Sequence, residues 1–151
     1  MKVLLAVDDS ESSEAAARTI ATQFRAEETE VCVLHSVVWQ QTISSCFAFA
    51  RGNRYGNQLC SIMKHAREQA AALVAKLAGV LRASGFRTST AVLEGSPSLT
   101  ILNHAAEWQA DLIVLGSHCR SGLDRVLFGS VSGKIARQAP CSVEIVRPRS
   151  D

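Results

Sequence analysis

Two runs in this chain, Val31-Cys32-Val33-Leu34 and Leu112-Ile113-Val114-Leu115, are apolar at every position. A strand with one wet face alternates apolar and polar residues. A strand that is apolar throughout has both faces covered, as in a parallel sheet packed between helices. The rest of the chain repeats this theme. Lys2 to Val7 reads as a first strand, Glu30 to Val38 as a second, Arg87 to Leu93 as a third, Leu112 to Leu115 as a fourth and Ser142 to Val146 as a fifth. Helical spacing fills the intervals. Ala16, Ile20 and Phe24 form one stripe between Ser12 and Phe24. Ile62, Ala66, Ala70, Leu73, Leu77 and Val80 or Leu81 form another between Gln58 and Ala83. Leu99, Leu102 and Ala106 form a third before Trp108, and Ser130 to Gln138 is the last helix. The order βαβαβαβαβ predicts a parallel sheet with helices on both faces and right-handed crossovers.

The punctuation agrees. Asp8-Asp9-Ser10 ends the first strand and can cap the next helix, and Ser96-Pro97 reads as a cap followed by proline at the first helical position. Gly85 and Ala139-Pro140 are helix stops. Residues 39–57 lack periodicity and read as a long loop whose aromatic residues pack locally. With 151 residues the chain is expected to form one domain spanning 1–151. A net charge of +2 gives no electrostatic case for nucleic acid or for a membrane surface. The five cysteines lack a C-x-x-C pair, which points away from zinc and towards a reducing cytoplasm. Cys32 and Cys141 lie in apolar runs, as small core residues do. The apolar run at the N-terminus is cut by Asp8 and Asp9 and is too short for a signal peptide. No stretch approaches a membrane span.

The chemistry concentrates between Asp111 and Lys134. A strand stops at Gly116, passes through the polar run Ser117-His118-Cys119-Arg120-Ser121-Gly122, and reaches a serine-rich helix start at Gly129-Ser130-Val131-Ser132. Such a helix start offers unpaired N–H groups and a partial positive charge to an anion. Ser130 and Ser132 add hydroxyls, Arg120 adds a cation, and glycine lets the backbone come close to a phosphate. Glycine and serine also fill ordinary strand–helix turns. A P-loop is excluded, because Gly129 and Gly133-Lys134 are one residue too close and Ile135 follows the lysine. The G-x-G-x-x-G fingerprint is absent. Ligands in open α/β sheets bind beyond the carboxyl ends of the strands where strand order reverses, which directs attention to Asp8 and Gly116. Cys119 lies between His118 and Arg120, surroundings that can lower a thiol pKa. The four histidines show no metal spacing, and no paired-carboxylate or Ser-His-Asp arrangement is apparent.

Taken together, Val7-Asp8-Asp9-Ser10, Leu34-His35-Ser36-Val37, Gly95-Ser96-Pro97, Asp111 to His118, Gly129-Ser130-Val131-Ser132 and Ala139 to Arg147 resemble a universal stress protein. The resemblance covers the chain apart from the loop at 39–57. It goes with a single-domain α/β fold, an open five-stranded parallel sheet of order 3-2-1-4-5 with helices on both faces. The ATP-binding members of that family carry glycine, two residues, glycine, nine residues, then glycine with Ser or Thr. Here the first glycine is Gly116 and the last pair Gly129-Ser130, with Cys119 in place of the middle glycine. The resemblance implies Asp8 near adenine and ribose, the backbone of Ser36 against adenine, and Gly116 beside ribose and phosphates. It implies phosphates held by Cys119, Arg120, Gly129, Ser130, Val131 and Ser132. It further implies ATP, with or without Mg2+, in a crevice between strands one and four. A homodimer would pair through Val143 to Val146, in a regulatory rather than catalytic role with at most slow ATP hydrolysis. A left-handed backbone at Cys119 would cost roughly 1–2 kcal/mol, about tenfold in affinity. Asp9, where many relatives have glycine, either caps the helix start as a solvated acid or repels a triphosphate. The alternative is a dimeric stress or interaction protein that binds no nucleotide because Cys119 and Asp9 impair the phosphate site.

Overall fold

The computed structural model of the chain describes residues 1–38, 55–117 and 129–148, with side chains from residue 60 onward in the second segment. The strands are β1 (Lys2–Ala6), β2 (Glu30–Val37), β3 (Arg87–Glu94), β4 (Leu112–Gly116) and β5 (Ser142–Val146). The helices are α1 (Glu11–Gln23), α2 (Tyr55–Ala83), α3 (Pro97–Trp108) and α4 (Ser130–Gln138). All strand pairs are parallel and the sheet order is β3-β2-β1-β4-β5, as expected.

Alternation along the inner strands splits the core into two layers, because successive side chains leave a strand on opposite faces. Val3, Leu5, Val7, Val31, Val33 and Val114 meet Ala16, Ala17 and Ile20 of α1 and Val74, Leu77, Ala78 and Leu81 of α2. Leu4, Ala6, Cys32, Leu34, Ile113 and Leu115 meet Ile101 and Ala105 of α3 and Ile135 of α4. Each valine, leucine or isoleucine so buried contributes about 1.5–3 kcal/mol relative to exposure. Burial also pushes the Cys32 thiol pKa up, since a buried thiolate is poorly solvated. Among the described residues no helix is long and apolar enough to cross a membrane.

Three expectations are corrected. The helix α2 begins at Tyr55, inside the stretch read as loop; residues 39–54 of that stretch, with their aromatic residues, lie outside the described residues. Its buried stripe is Ala70, Val74, Leu77, Ala78 and Leu81, whereas Ile62 is exposed. That stripe keeps the helical period but follows the sheet only over the C-terminal half of the helix. In α3 the inward residues are Ile101 and Ala105, and Leu99 is 49% exposed. A helix apolar on several sides leaves the choice of stripe open to sequence reading, and packing against β2 and α4 selects Ile101.

The helix α3 ends on Gln109, whose φ of 56° is left-handed. That conformation suits glycine. Gln109→Gly is therefore expected to raise stability by about 1 kcal/mol, or about 2–4 °C in a chain of this size. A thermal melt that is unchanged or lower would contradict this.

Candidate functional site

The carboxyl ends of β1 and β4 lie side by side, in register at Ala6 and Leu115. From β1 the chain runs on into α1 on one face; from β4 it runs on to α4 on the other. With α1 and α4 on opposite faces, a crevice of about 440 Å³ lies beyond these strand ends, within the range of small-molecule sites. Its apolar wall includes Ala6, Leu34, Ile101, Leu115 and Ile135, and its polar residues include Asp8, Ser13, Ser36, Ser130 and Ser132.

Asp8 follows β1 directly. Ser10 caps α1 by accepting from the Ser13 N–H, and the first turn brings Ser13 back over Asp8. The Ser13 hydroxyl accepts from the Asp8 N–H at 2.9 Å and donates to Asp8 Oδ1 at 2.7 Å. The Ser10 hydroxyl donates to the same oxygen at 2.5 Å. Asp9 is exposed and is not among the residues lining the crevice. The end of β2 supplies the next wall. His35 Nδ1 donates to the Val7 carbonyl at 2.8 Å, and Ser36 Oγ donates to the Gly95 carbonyl at 3.1 Å. The second bond ties β2 to the approach of α3, which contributes Pro97 and Ile101.

On the β4 side, Gly116 lines the crevice and has a packing role besides the one expected. A Cβ on it would lie 2.5 Å from Ser12 Cβ, 2.6 Å from Ser12 C and 2.8 Å from Ser12 O. The missing side chain admits the start of α1, not only a ligand. Ser12 Oγ then donates to the Ser117 carbonyl at 2.9 Å, and the Ser117 N–H donates to the Val146 carbonyl at 2.8 Å. Gly129 is different. Its φ is −55°, it is exposed, and a Cβ there would meet only Ser132 Oγ at an ordinary 3.7 Å. Nothing described in the fold requires glycine at this position.

The helix α4 opens at Gly129, the N-cap, with no side-chain cap. The N–H groups of the first turn have no partner within the helix and carry the positive end of its dipole. Ser130 is exposed, while Ser132 is 6% exposed and donates to the Gly129 carbonyl at 3.2 Å. The Ser132 hydroxyl is thus already engaged within the helix start. Of the expected site residues, Asp8, Ser36, Gly116, Gly129, Ser130, Val131 and Ser132 line this one crevice; Cys119 and Arg120 lie outside the described residues. The site reading passed over Ser13, His35, Pro97 and Ile101. Ser13 had a signal, since a second hydroxyl three residues after a serine cap falls on the cap's own side of the helix. Asp8 is the only carboxylate among the described lining residues. Among the described residues no cluster of three His, Cys, Asp or Glu could hold a metal ion. The arrangement brings an apolar wall, a carboxylate and an anion-attracting helix start to one crevice.

Comparison with known proteins gives the family. The model of the universal stress protein family matches residues 1–147. The chain is 30% identical over 156 residues to universal stress protein YxiE of Bacillus subtilis, with 97% of this chain and 98% of the relative covered. Among solved structures it is similar to MJ0577 of Methanocaldococcus jannaschii, with a TM-score of 0.79 at 23% identity and with 99% and 97% of the two chains covered. A universal stress protein family protein of Arabidopsis thaliana, solved with AMP bound, superposes with a TM-score of 0.69 at 16% identity, covering 100% of this chain and 94% of that one. On its sequence match and its architecture, the chain belongs to the universal stress protein family.

Proposed function

We propose that this protein binds an adenine nucleotide in the crevice between β1 and β4 and reports its occupancy to partners as a regulatory homodimer. The observation that carries the reading is convergence: residues from the ends of β1, β2 and β4 and from the start of α4 line one cavity of about 440 Å³. In this reading adenine lies against Leu34, Ile101 and Leu115, with the Ser36 backbone and Asp8 beside base and ribose. The phosphates meet the amides of Gly129 to Ser132, with Cys119 and Arg120 completing their cradle. ATP is the form that the family resemblance implies, with Gly116 and Gly129-Ser130 matching its glycine pattern and Cys119 departing from it, and the AMP-bound relative supports the adenine. The dimer forms along β5, whose outer edge has no strand neighbour among the described residues. Cys32, Cys60 and Cys141 are free thiols, in keeping with work in the cytoplasm.

Ligand that binds only the folded state stabilises it by mass action. At a hundredfold excess over Kd the gain is about 2.7 kcal/mol, an upward shift of roughly 5–10 °C in melting temperature for a chain of this size. The measurement is a thermal melt with and without ATP, repeated with AMP. No shift with either at millimolar concentration would refute nucleotide binding and return the chain to the class of interaction proteins.

A further inference from the structure

We infer that Ser13 is a positioning residue for ligand binding: its hydroxyl holds the Asp8 carboxylate in a fixed orientation at the crevice, ready to accept from a donor group of the bound molecule. The inference rests on the crevice being the ligand site. Ser13 is 2% exposed and lines that crevice together with Asp8. A hydroxyl can donate one hydrogen bond and accept others. Here the accepted bond comes from the Asp8 backbone at 2.9 Å, and the donated bond returns to Asp8 Oδ1 at 2.7 Å. The pair forms a closed ring between one side chain and both halves of one residue, so it fixes the backbone and the carboxylate together. Ser10 donates to the same Oδ1. Two donors on one oxygen set the plane of the carboxylate, whereas an aspartate on an open turn would rotate about χ2.

A fixed acceptor favours a ligand that brings a donor to that place, such as an exocyclic amine or a ribose hydroxyl. It disfavours one that brings an acceptor, because like groups facing each other lose their water without replacement. The side chain that selects the ligand is then Asp8, and the residue that makes Asp8 selective is Ser13. A serine at this point is not required for the helix itself, since Ser10 already provides the cap.

The test uses Ser13→Ala and Asp8→Ala, singly and together, with ATP and AMP affinities measured by calorimetry below the melting temperature of the least stable variant. Ser13→Ala is expected to weaken binding about tenfold, close to the loss of one charge-assisted hydrogen bond. In the Asp8→Ala background it is expected to add nothing. Unchanged affinity in Ser13→Ala overturns the inference, and so does an equal loss in both backgrounds. A second readout needs no nucleotide. Titration of the Asp8 carboxyl by carbon NMR in the ligand-free protein should show its midpoint rise in Ser13→Ala, because hydrogen bonds to the charged form lower a carboxyl pKa. If the unaltered protein binds neither nucleotide, the functional reading fails and the titration alone decides on Ser13. A midpoint that does not move rejects the hold of Ser13 on the carboxylate, and a raised one upholds that hold while the ligand role falls with the functional reading. Ser10→Ala serves as a second variant should Ser13→Ala fail to fold, with the same rise expected and an unmoved midpoint again counting against a hydroxyl-held carboxylate.

Discussion

Gly116→Ala is expected to lower stability by about 3 kcal/mol, at the upper end of ordinary overpacking, which corresponds to a fall of roughly 6–12 °C in melting temperature. The reason is local. The added methyl would stand within 2.8 Å of three Ser12 atoms, two of them backbone. No rotamer change relieves a contact with a main chain, so α1 must slide off the end of β4. Sliding would strain the Ser12–Ser117 bond and disturb the seating of Ala16, Ala17 and Ile20 in the core. Chemical and thermal unfolding measure the loss. A variant that melts with the parent would show that α1 is free to shift, contrary to this packing.

Gly129→Asp is expected to separate stability from binding. The position is an exposed helix N-cap with an ordinary φ, where aspartate is a favoured residue and its charge suits the helix dipole. The ligand-free protein should melt as the parent does or slightly higher, by about 0.5 kcal/mol. Nucleotide phosphates at the same helix start would then face a fixed negative charge. At a separation of about 4 Å and an effective dielectric constant near 20, that repulsion is about 4 kcal/mol, so affinity for ATP should fall at least about a hundredfold. Adenosine, which carries no phosphate, should bind the variant and the parent alike. Retained ATP affinity would place the phosphates elsewhere; a collapsed melting curve would mean that Gly129 is needed by the fold after all.

These two glycines also show what the sequence could and could not convey. Both were read as places where backbone approaches an anion. The elements and their apolar runs were accessible, because period and punctuation are local properties; the strand order and the grouping of Asp8, Ser36, Gly116 and Gly129 came from the resemblance to a family. The use of Gly116 was not, since its neighbour Ser12 is distant in sequence and only packing brings them together. The same limit explains Leu99 against Ile101. The helix α3 is apolar on more than one side, and the sheet decides which side is covered. Ser132 shows a further contact that the sequence did not convey, the bond from its hydroxyl to the Gly129 carbonyl. His35 shows the same limit, since its hydrogen-bond partner, the Val7 carbonyl, is 28 residues away.

The parting of the chain beyond β1 and β4 has a bearing on how such a molecule can change over time. Among the described residues, the opening follows from α1 and α4 covering opposite faces of the sheet. Residues such as Pro97, Ser130 or Val131 can therefore drift without closing it or shifting the strands beneath. A lineage built on this plan is free to exchange one guest for another while its scaffold stays put.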